Sequence, residues 1–304
     1  MIGESISPKK WMYVILAFVG IIIVFFDPEL KNNLLGLFFA SLMALFFAIA
    51  QVYSRQLKEL SLIILNAYTG FFGFFVLIVV SFFVEGEVII NIKNIKSLSG
   101  IKVSGKTVKI GATTKHVEVA NSKDVKKAIP SLAALAEGIG DPQVRNRGTI
   151  GGSIANNDPS ADYPSACIAL NAVIHTNSRK IDAEKFFKGM FETSLKSGEI
   201  IEAIEFSIPE KSNYQKYPNP ASRYAVGGVY VAKHKKGVNV AVTGAKSCVY
   251  NDKDLSKALT NNFSSSAIDS VRISSSGMNS DIHASAEYRA NMVKVFAKKA
   301  VEAC

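Results

Sequence analysis

The chain has 304 residues, enough for two or three domains, and a formal net charge of +10. Residues 1–86 hold five Lys/Arg and five Asp/Glu, so 30 of the 35 basic and 20 of the 25 acidic residues follow them, and the excess charge lies entirely beyond residue 86. Three cysteines and four isolated histidines show no CxxC or Cys/His ligand spacing, which excludes a zinc, iron–sulfur or disulfide framework in this chain. The lysines are scattered or paired without interleaved aromatics, so no nucleic-acid footprint is present.

Residues 1–86 contain 13 of the 19 Phe and the only Trp. Three apolar runs stand out, at 11–26, 34–53 and 60–84. A membrane-spanning helix needs about 20 apolar residues, so the pattern predicts three transmembrane helices, with contact to the lipid bilayer from residue 11 to residue 84. No small-residue cleavage site follows the first run, which argues against a removed signal peptide. Lys9, Lys10, Arg55 and Lys58 flank the runs on one side, placing the N-terminus inside and everything after the third run outside.

From Glu87 the texture changes. "EVIINIKNI" and "GKTVKIGATT" read as short β-strands around turns at Gly100 and Gly105. "SKDVKKAIPSLAALAEGI" reads as helix capped by Ser122 and ended by Gly138 and Gly140, with Pro130 splitting it in two. "SADYPSACIALNAVIHT" reads as a helix and a strand, "GEIIEAIEFSIP" as a strand, and residues 223–250 as a meander turning at Lys236–Gly237. The last stretch has helical period, with Tyr288, Met292, Val295 and Phe296 on one face. The order of elements predicts an α+β layout.

The chemistry concentrates in "RNRGTIGGSIANNDPSADYPSA", residues 145–166. Adjacent Gly151 and Gly152 let backbone approach a ligand without a Cβ and reach positive φ. Successive N–H groups there can face an anion such as a pyrophosphate. Thr149 and Ser153 add hydroxyls, and Asp162 can accept from a sugar or ribityl hydroxyl. A bare Gly-Gly is equally compatible with a tight turn. The run is neither GxGxxG nor a phosphate loop followed by lysine, so neither a Rossmann nor a Walker-type site is supported.

Two resemblances add to this reading. "KKWMYVILAFVGIIIVFF" and "LLGLFFASLMALFFAIAQVYSRQL" resemble part of an EamA-like drug/metabolite transporter, whose fold has about ten helices. Three helices cannot enclose a midplane site, so transport by this chain alone is not expected. "GIGDPQVRNRGTIGGSIANNDPSADYPSACIALNA" closely resembles the FAD-binding medium subunit of the molybdenum hydroxylases, the aerobic carbon monoxide dehydrogenase and xanthine dehydrogenase family. "VKIGATTKHVEVANS", "FFKGMFETSLKSGEIIEAIEFSIP", "YQKYPNPASRYAVGGVYVA" and "SDIHASAEYRANMVKVFAKKAVEA" keep the family's order.

That resemblance implies a PCMH-type FAD-binding domain, its second subdomain only, at 87–182, and a C-terminal α+β domain at 183–304, preceded by the transmembrane segment at 1–86. It implies FAD as cofactor, with Thr149, Ile150, Gly151, Gly152 and Ser153 around the pyrophosphate. Asp162 would lie near the cofactor, Ile201 (or Ile200) against the flavin ring, and Lys216 at the flavin. Arg145, Asn146 and Arg147 would brace the loop or be ordinary surface residues. The implied partners are a molybdenum-cofactor large subunit and a [2Fe-2S] small subunit. The implied role is electron transfer, with no hydroxylation by this chain alone.

The family's first phosphate motif, AGGxS, occurs nowhere in the chain. A flavin subunit of this family is expected in the cytoplasm, whereas the apolar runs predict a membrane protein with its soluble part exported. Three readings follow: a chain joining pieces of two unrelated proteins, a membrane-tethered flavoprotein with impaired FAD binding, or a membrane protein whose second half only docks.

Overall fold

The computed structural model describes residues 91, 92 and 95–304. The three expected membrane spans, and the expected strand from Glu87 to Ile90, lie outside these residues. Among the described residues no helix is long and apolar enough to cross a membrane. The chain divides into two units, Met1–Ile90 and Asn91–Cys304, and the second is described below.

After a 3-10 turn at Lys96–Leu98, β1 (Ile101–Ser104) and β2 (Thr107–Gly111) form an antiparallel hairpin. Gly105 makes its turn at φ 58, a left-handed conformation that glycine adopts without Cβ strain. Five short helices follow: α1 (His116–Asn121), α2 (Lys123–Ala128), α3 (Pro130–Glu137), α4 (Pro142–Arg147) and α5 (Ile150–Asn156). The Ser122 hydroxyl accepts from Val125 N–H as N-cap of α2, and Pro130 opens α3 at a position where a missing N–H costs nothing. Residues 91 and 92, inside the run read as a strand, are not in one.

Next come α6 (Tyr163–Ala169), β3 (Val173–Thr176), β4 (Lys180–Asp182), α7 (Ala183–Phe186), the small hairpin β5 (Phe187–Gly189) with β6 (Glu192–Thr193), and β7 (Ile201–Ser207). The first sheet has the order β1-β2-β7-β3-β4, antiparallel throughout. Its central strand therefore comes from beyond residue 182, and the sheets do not divide at the expected 182/183 boundary. The second sheet begins only at β8 (Lys211–Pro218) and continues through β9 (Ala225–His234), β10 (Gly237–Thr243) and β11 (Tyr250–Asn251), in the order β11-β10-β9-β8. The β9–β10 turn falls at Lys235–Lys236, one residue before the position read from sequence.

β9 explains how the parts join. Its first eight residues are buried. With side chains alternating between faces, Tyr230 and Ala232 enter the core beneath the first sheet, while Val229 and Val231 enter a second core. That second core is completed by Leu255 and Leu259 of α8 (Lys253–Asn261) and by α9 (Ala286–Glu302).

The buried face of α9 differs from the expected one. Ala290, Val293, Phe296, Ala297, Ala300 and Val301 are buried, whereas Tyr288 is 44% exposed. The reason is Arg289, only 3% exposed, which donates to the carbonyls of Val226 and Gly244 and to Asp281. A charged residue with that many partners can occupy a core face, and it turns the buried stripe away from Tyr288.

Candidate functional site

A cavity of about 430 Å³ lies between the segment at residues 139–162 and the β8–β9 turn. Its wall includes Thr149, Gly152, Ser153 and Asp162, together with His116, Arg147, Ser222, Arg223 and Tyr224. Four of the eight expected site residues thus line one cavity.

The local structure around "TIGGS" is a helix start, not a glycine loop. Thr149 is the N-cap of α5, and its hydroxyl accepts from Gly152 N–H. Neither Gly151 nor Gly152 has positive φ. The expected cradle of free amides is also absent. Ile150 N–H donates to Thr114 O, Gly151 N–H to Ala112 O, and Ser153 N–H to Thr149 O. What remains for a ligand is the Thr149 hydroxyl proton and the Ser153 hydroxyl, both at the cavity.

The two glycines do different work. Gly151 is buried, and a Cβ there would lie 2.5 Å from Ala112 Cβ and 2.7 Å from Ala112 O, so glycine is required for α5 to sit on the end of β2. Gly152 is exposed to the cavity, and an added Cβ would meet only Thr149 Oγ1 within 4 Å. Ile150 is fully buried in the core and does not line the cavity. Its apolar side chain anchors the start of α5.

Helix α5 ends at Asn157, which takes the left-handed conformation at φ 44. Its side chain donates to Gly189 O and Glu192 O. The following segment is stitched to the second sheet: Thr243 donates to Pro159 O and Ala161 O, and Ala225 N–H donates to Ser160 O. These bonds deliver Asp162 to the cavity floor.

Asp162 is 4% exposed. Tyr214 donates its phenol to Oδ1, and Lys216 Nζ lies 2.9 Å from Oδ2. Burial pushes the Asp162 carboxyl upward, against the pull of Lys216 and Tyr214. Lys216 also donates to Gly138 O and Arg223 O. An ammonium has three N–H donors, so Lys216 has none left to offer a flavin. It holds Asp162 and joins both cavity walls. A carboxylate has about four lone-pair sites, and Asp162 retains capacity to accept from a ligand hydroxyl.

Ile201 is 5% exposed within the first sheet, paired with Thr176, and does not line the cavity. Its neighbour Ile200 is 41% exposed. Arg145 donates to Ile139 O and Gly140 O, in the segment before α4. Asn146 donates to Pro142 O within its own helix.

Several residues that bear on the site carried no recognisable sequence signal. Tyr214 reaches Asp162 only because Gly228, on the neighbouring strand, leaves room: a Cβ there would lie 2.4 Å from Tyr214 Oη. His116 is 4% exposed, its Nδ1 has no hydrogen-bond partner, and burial, with Arg145 nearby, lowers it to about 4. It is a neutral imidazole at the cavity wall at pH 7. Among the described residues the Arg147 side chain makes no hydrogen bond or ion pair.

Fold and cavity together describe an α+β chain with a cavity edged by hydroxyl and guanidinium groups. Comparison with known proteins names the ligand. A family model described as the FAD-binding domain in molybdopterin dehydrogenase matches residues 76–210. The nicotine 6-hydroxylase medium subunit of Paenarthrobacter nicotinovorans is 31% identical over 233 residues, covering 71% of this chain and 82% of that one. The carbon monoxide dehydrogenase medium chain of Hydrogenophaga pseudoflava is 32% identical over 240 residues, covering 73% and 83%. A solved carbon monoxide dehydrogenase from that organism, lacking the Mo-pyranopterin moiety of its cofactor, superposes with a TM-score of 0.61 at 30% identity, over 68% of this chain and 78% of that one.

The chain belongs to the family of FAD-binding medium subunits of the molybdopterin dehydrogenases, of the carbon monoxide dehydrogenase type, and FAD is its cofactor. The cavity fits such a group: it offers the hydroxyls of Thr149, Ser153 and Ser222, two guanidiniums and a glycine edge where a Cβ would intrude.

Proposed function

We propose that this chain is the flavin-bearing electron-transfer subunit of a molybdenum-containing hydroxylase or dehydrogenase. Electrons arrive from [2Fe-2S] clusters on a small partner subunit, supplied by a molybdenum cofactor on a large one, and leave to an acceptor. The flavin, when bound, takes up and releases those electrons. The chain's own residues bind and orient it. Thr149 and Ser153 face the pyrophosphate with their hydroxyls, and Gly152 leaves room for it. Asp162, fixed by Lys216 and Tyr214, accepts from a ligand hydroxyl. Gly151 and Ile150 act indirectly, by seating α5, and Lys216 acts through Asp162. Ile201 acts from the sheet behind the site.

The observation that carries the reading is the convergence of Thr149, Gly152, Ser153 and Asp162 on one cavity in a chain of this family. Because AGGxS is missing from the sequence, we further propose that FAD is held less firmly than in relatives that have it. Full-length chain loaded with FAD is mixed with a dithionite-reduced [2Fe-2S] small subunit of a relative. Loss of the oxidised flavin absorbance is expected; flavin that stays oxidised beside a bound, reduced small subunit refutes the electron-transfer role.

The apolar runs at 11–84 favour a second reading, in which the chain is membrane-anchored, or joined from two proteins, and its second half docks on partners without flavin. Full-length chain that binds those partners but no FAD would support it.

A further inference from the structure

Two guanidinium groups reach the cavity from separate parts of the chain. Arg147 is the last residue of α4, beside Gly148 and Thr149, and is exposed. Arg223 lies in the β8–β9 turn, also exposed, and its guanidinium makes one long bond, 3.4 Å, to Gly140 O. Both line the cavity that holds Thr149, Ser153 and Ser222.

Arg223 has φ 61, in the left-handed region that a side chain with a Cβ disfavours. The turn is tied down to keep it there. Asn219 Oδ1 accepts from Ala221 N–H and Ser222 N–H. Arg223 N–H donates to Asn219 O, Asn219 N–H donates to Tyr224 O, and Lys216 donates to Arg223 O. Every one of these uses backbone atoms of residue 223, or none of its atoms, so glycine would satisfy them without strain. Strain held by this many bonds points to a use for the side chain.

The charge balance indicates what that use is. The carboxylates at the cavity are Asp158 and Asp162. Asp162 is paired with Lys216, and Asp158 accepts from Ser160 N–H. His116 is neutral at pH 7. Two guanidiniums against one unpaired carboxylate leave the wall positive, and the amides of the α5 first turn are already bonded within the protein. The positive charge at this site therefore comes from side chains.

We propose that Arg147 and Arg223 form a two-armed clamp on the diphosphate of the bound dinucleotide, while residues 149–153 supply shape and hydroxyl groups. This rests on the flavin reading above. Guanidinium groups offer planar, paired donors suited to phosphate oxygens, and each arm adds charge-assisted hydrogen bonds.

The test compares full-length wild type with Arg147→Ala, Arg223→Gly and Arg223→Asn, using FAD, ADP and riboflavin as probes. Each substitution is expected to weaken FAD and ADP about tenfold or more and to leave riboflavin unchanged. Arg223→Gly is expected to keep or raise the unfolding temperature, because it relieves strain while losing affinity. FAD and ADP affinities within twofold of wild type in all three variants overturn the clamp. So does an affinity loss matched by an equal loss of unfolding temperature in Arg223→Gly and Arg223→Asn alike. Wild type that binds ADP but no FAD overturns the flavin reading alone, and the variants are then scored on ADP. Wild type that binds neither overturns both.

Discussion

Replacing Gly151 and Gly152 separately by alanine should produce two different defects. At Gly151 the new methyl group would lie 2.5 Å from Ala112 Cβ, 2.7 Å from its carbonyl oxygen and 2.8 Å from its Cα. None of these atoms can rotate away, so α5 must lift from the end of β2 and loosen the 2.8 Å bond from Gly151 N–H to Ala112 O. Overpacking of this kind costs about 1–3 kcal/mol and the weakened bond about 1 more. Alanine returns about 1 kcal/mol of helix propensity. The net loss is about 1–3 kcal/mol, or roughly 3–10 °C in unfolding temperature for a domain of this size. At Gly152 the methyl enters the cavity and meets only Thr149 Oγ1, at 3.0 Å; pressure on this cap opposes the about 1 kcal/mol of helix propensity that alanine returns, so stability should change little. Its effect should fall on the ligand. Thermal unfolding with and without FAD separates the two, since a ligand stabilises in proportion to ln(1 + [L]/Kd). Gly151→Ala should lower the unfolding temperature of the free protein. Gly152→Ala should leave it unchanged and abolish most of the FAD-induced rise. The assignment fails if Gly151→Ala is as stable as wild type, or if Gly152→Ala keeps the full FAD-induced rise.

Other substitutions probe the supports of the site. Lys216→Met leaves the Asp162 carboxylate buried without its cation and should destabilise by about 3 kcal/mol, read from urea unfolding; a loss below about 1 kcal/mol would show the pair to be dispensable. Gly228→Ala should push Tyr214 off Asp162 and weaken FAD several-fold with Asp162 itself intact; unchanged affinity would show that Tyr214 does not position Asp162. Glu199, bonded to Arg179 and Thr176, is pulled from 4.5 to about 2 chiefly by the Arg179 hydrogen bond. A depressed carboxyl contributes stability above its unfolded value that is lost as pH falls through the folded one. The unfolding temperature should therefore fall between about pH 4.5 and pH 2, less steeply in Glu199→Gln; parallel curves would remove Glu199 from the acid response.

Elements governed by neighbours in sequence were legible beforehand. The Ser122 cap, the helix break at Pro130 and the β9–β11 meander depend on local chemistry, and the structure shows each of them. The site was legible in part, because Thr149, Gly152, Ser153 and Asp162 sit close together in the chain. Its supports were not. Lys216 was named by resemblance, at the flavin, but its pairing with Asp162 and the approach of Tyr214 past Gly228 arise through strand register, with Lys216 opposite Gly228, and no spacing in one dimension signals that. Gly-Gly suggested an amide cradle, yet the carbonyls of Ala112 and Thr114, just past β2, and the Thr149 cap already occupy those amides. The buried face of α9 includes Arg289 because its partners come from Val226, Gly244 and Asp281, remote or irregular positions that sequence periodicity does not report.

On the flavin reading, the cavity around Thr149, Ser153 and Asp162 holds FAD in this chain. This is tested most directly by titrating FAD into purified full-length protein and following flavin fluorescence. Saturable binding of one FAD per chain, lost in Gly152→Val while the fold persists, is the predicted result. Folded protein that shows no saturable FAD binding, or binding that survives Gly152→Val unchanged, would contradict it.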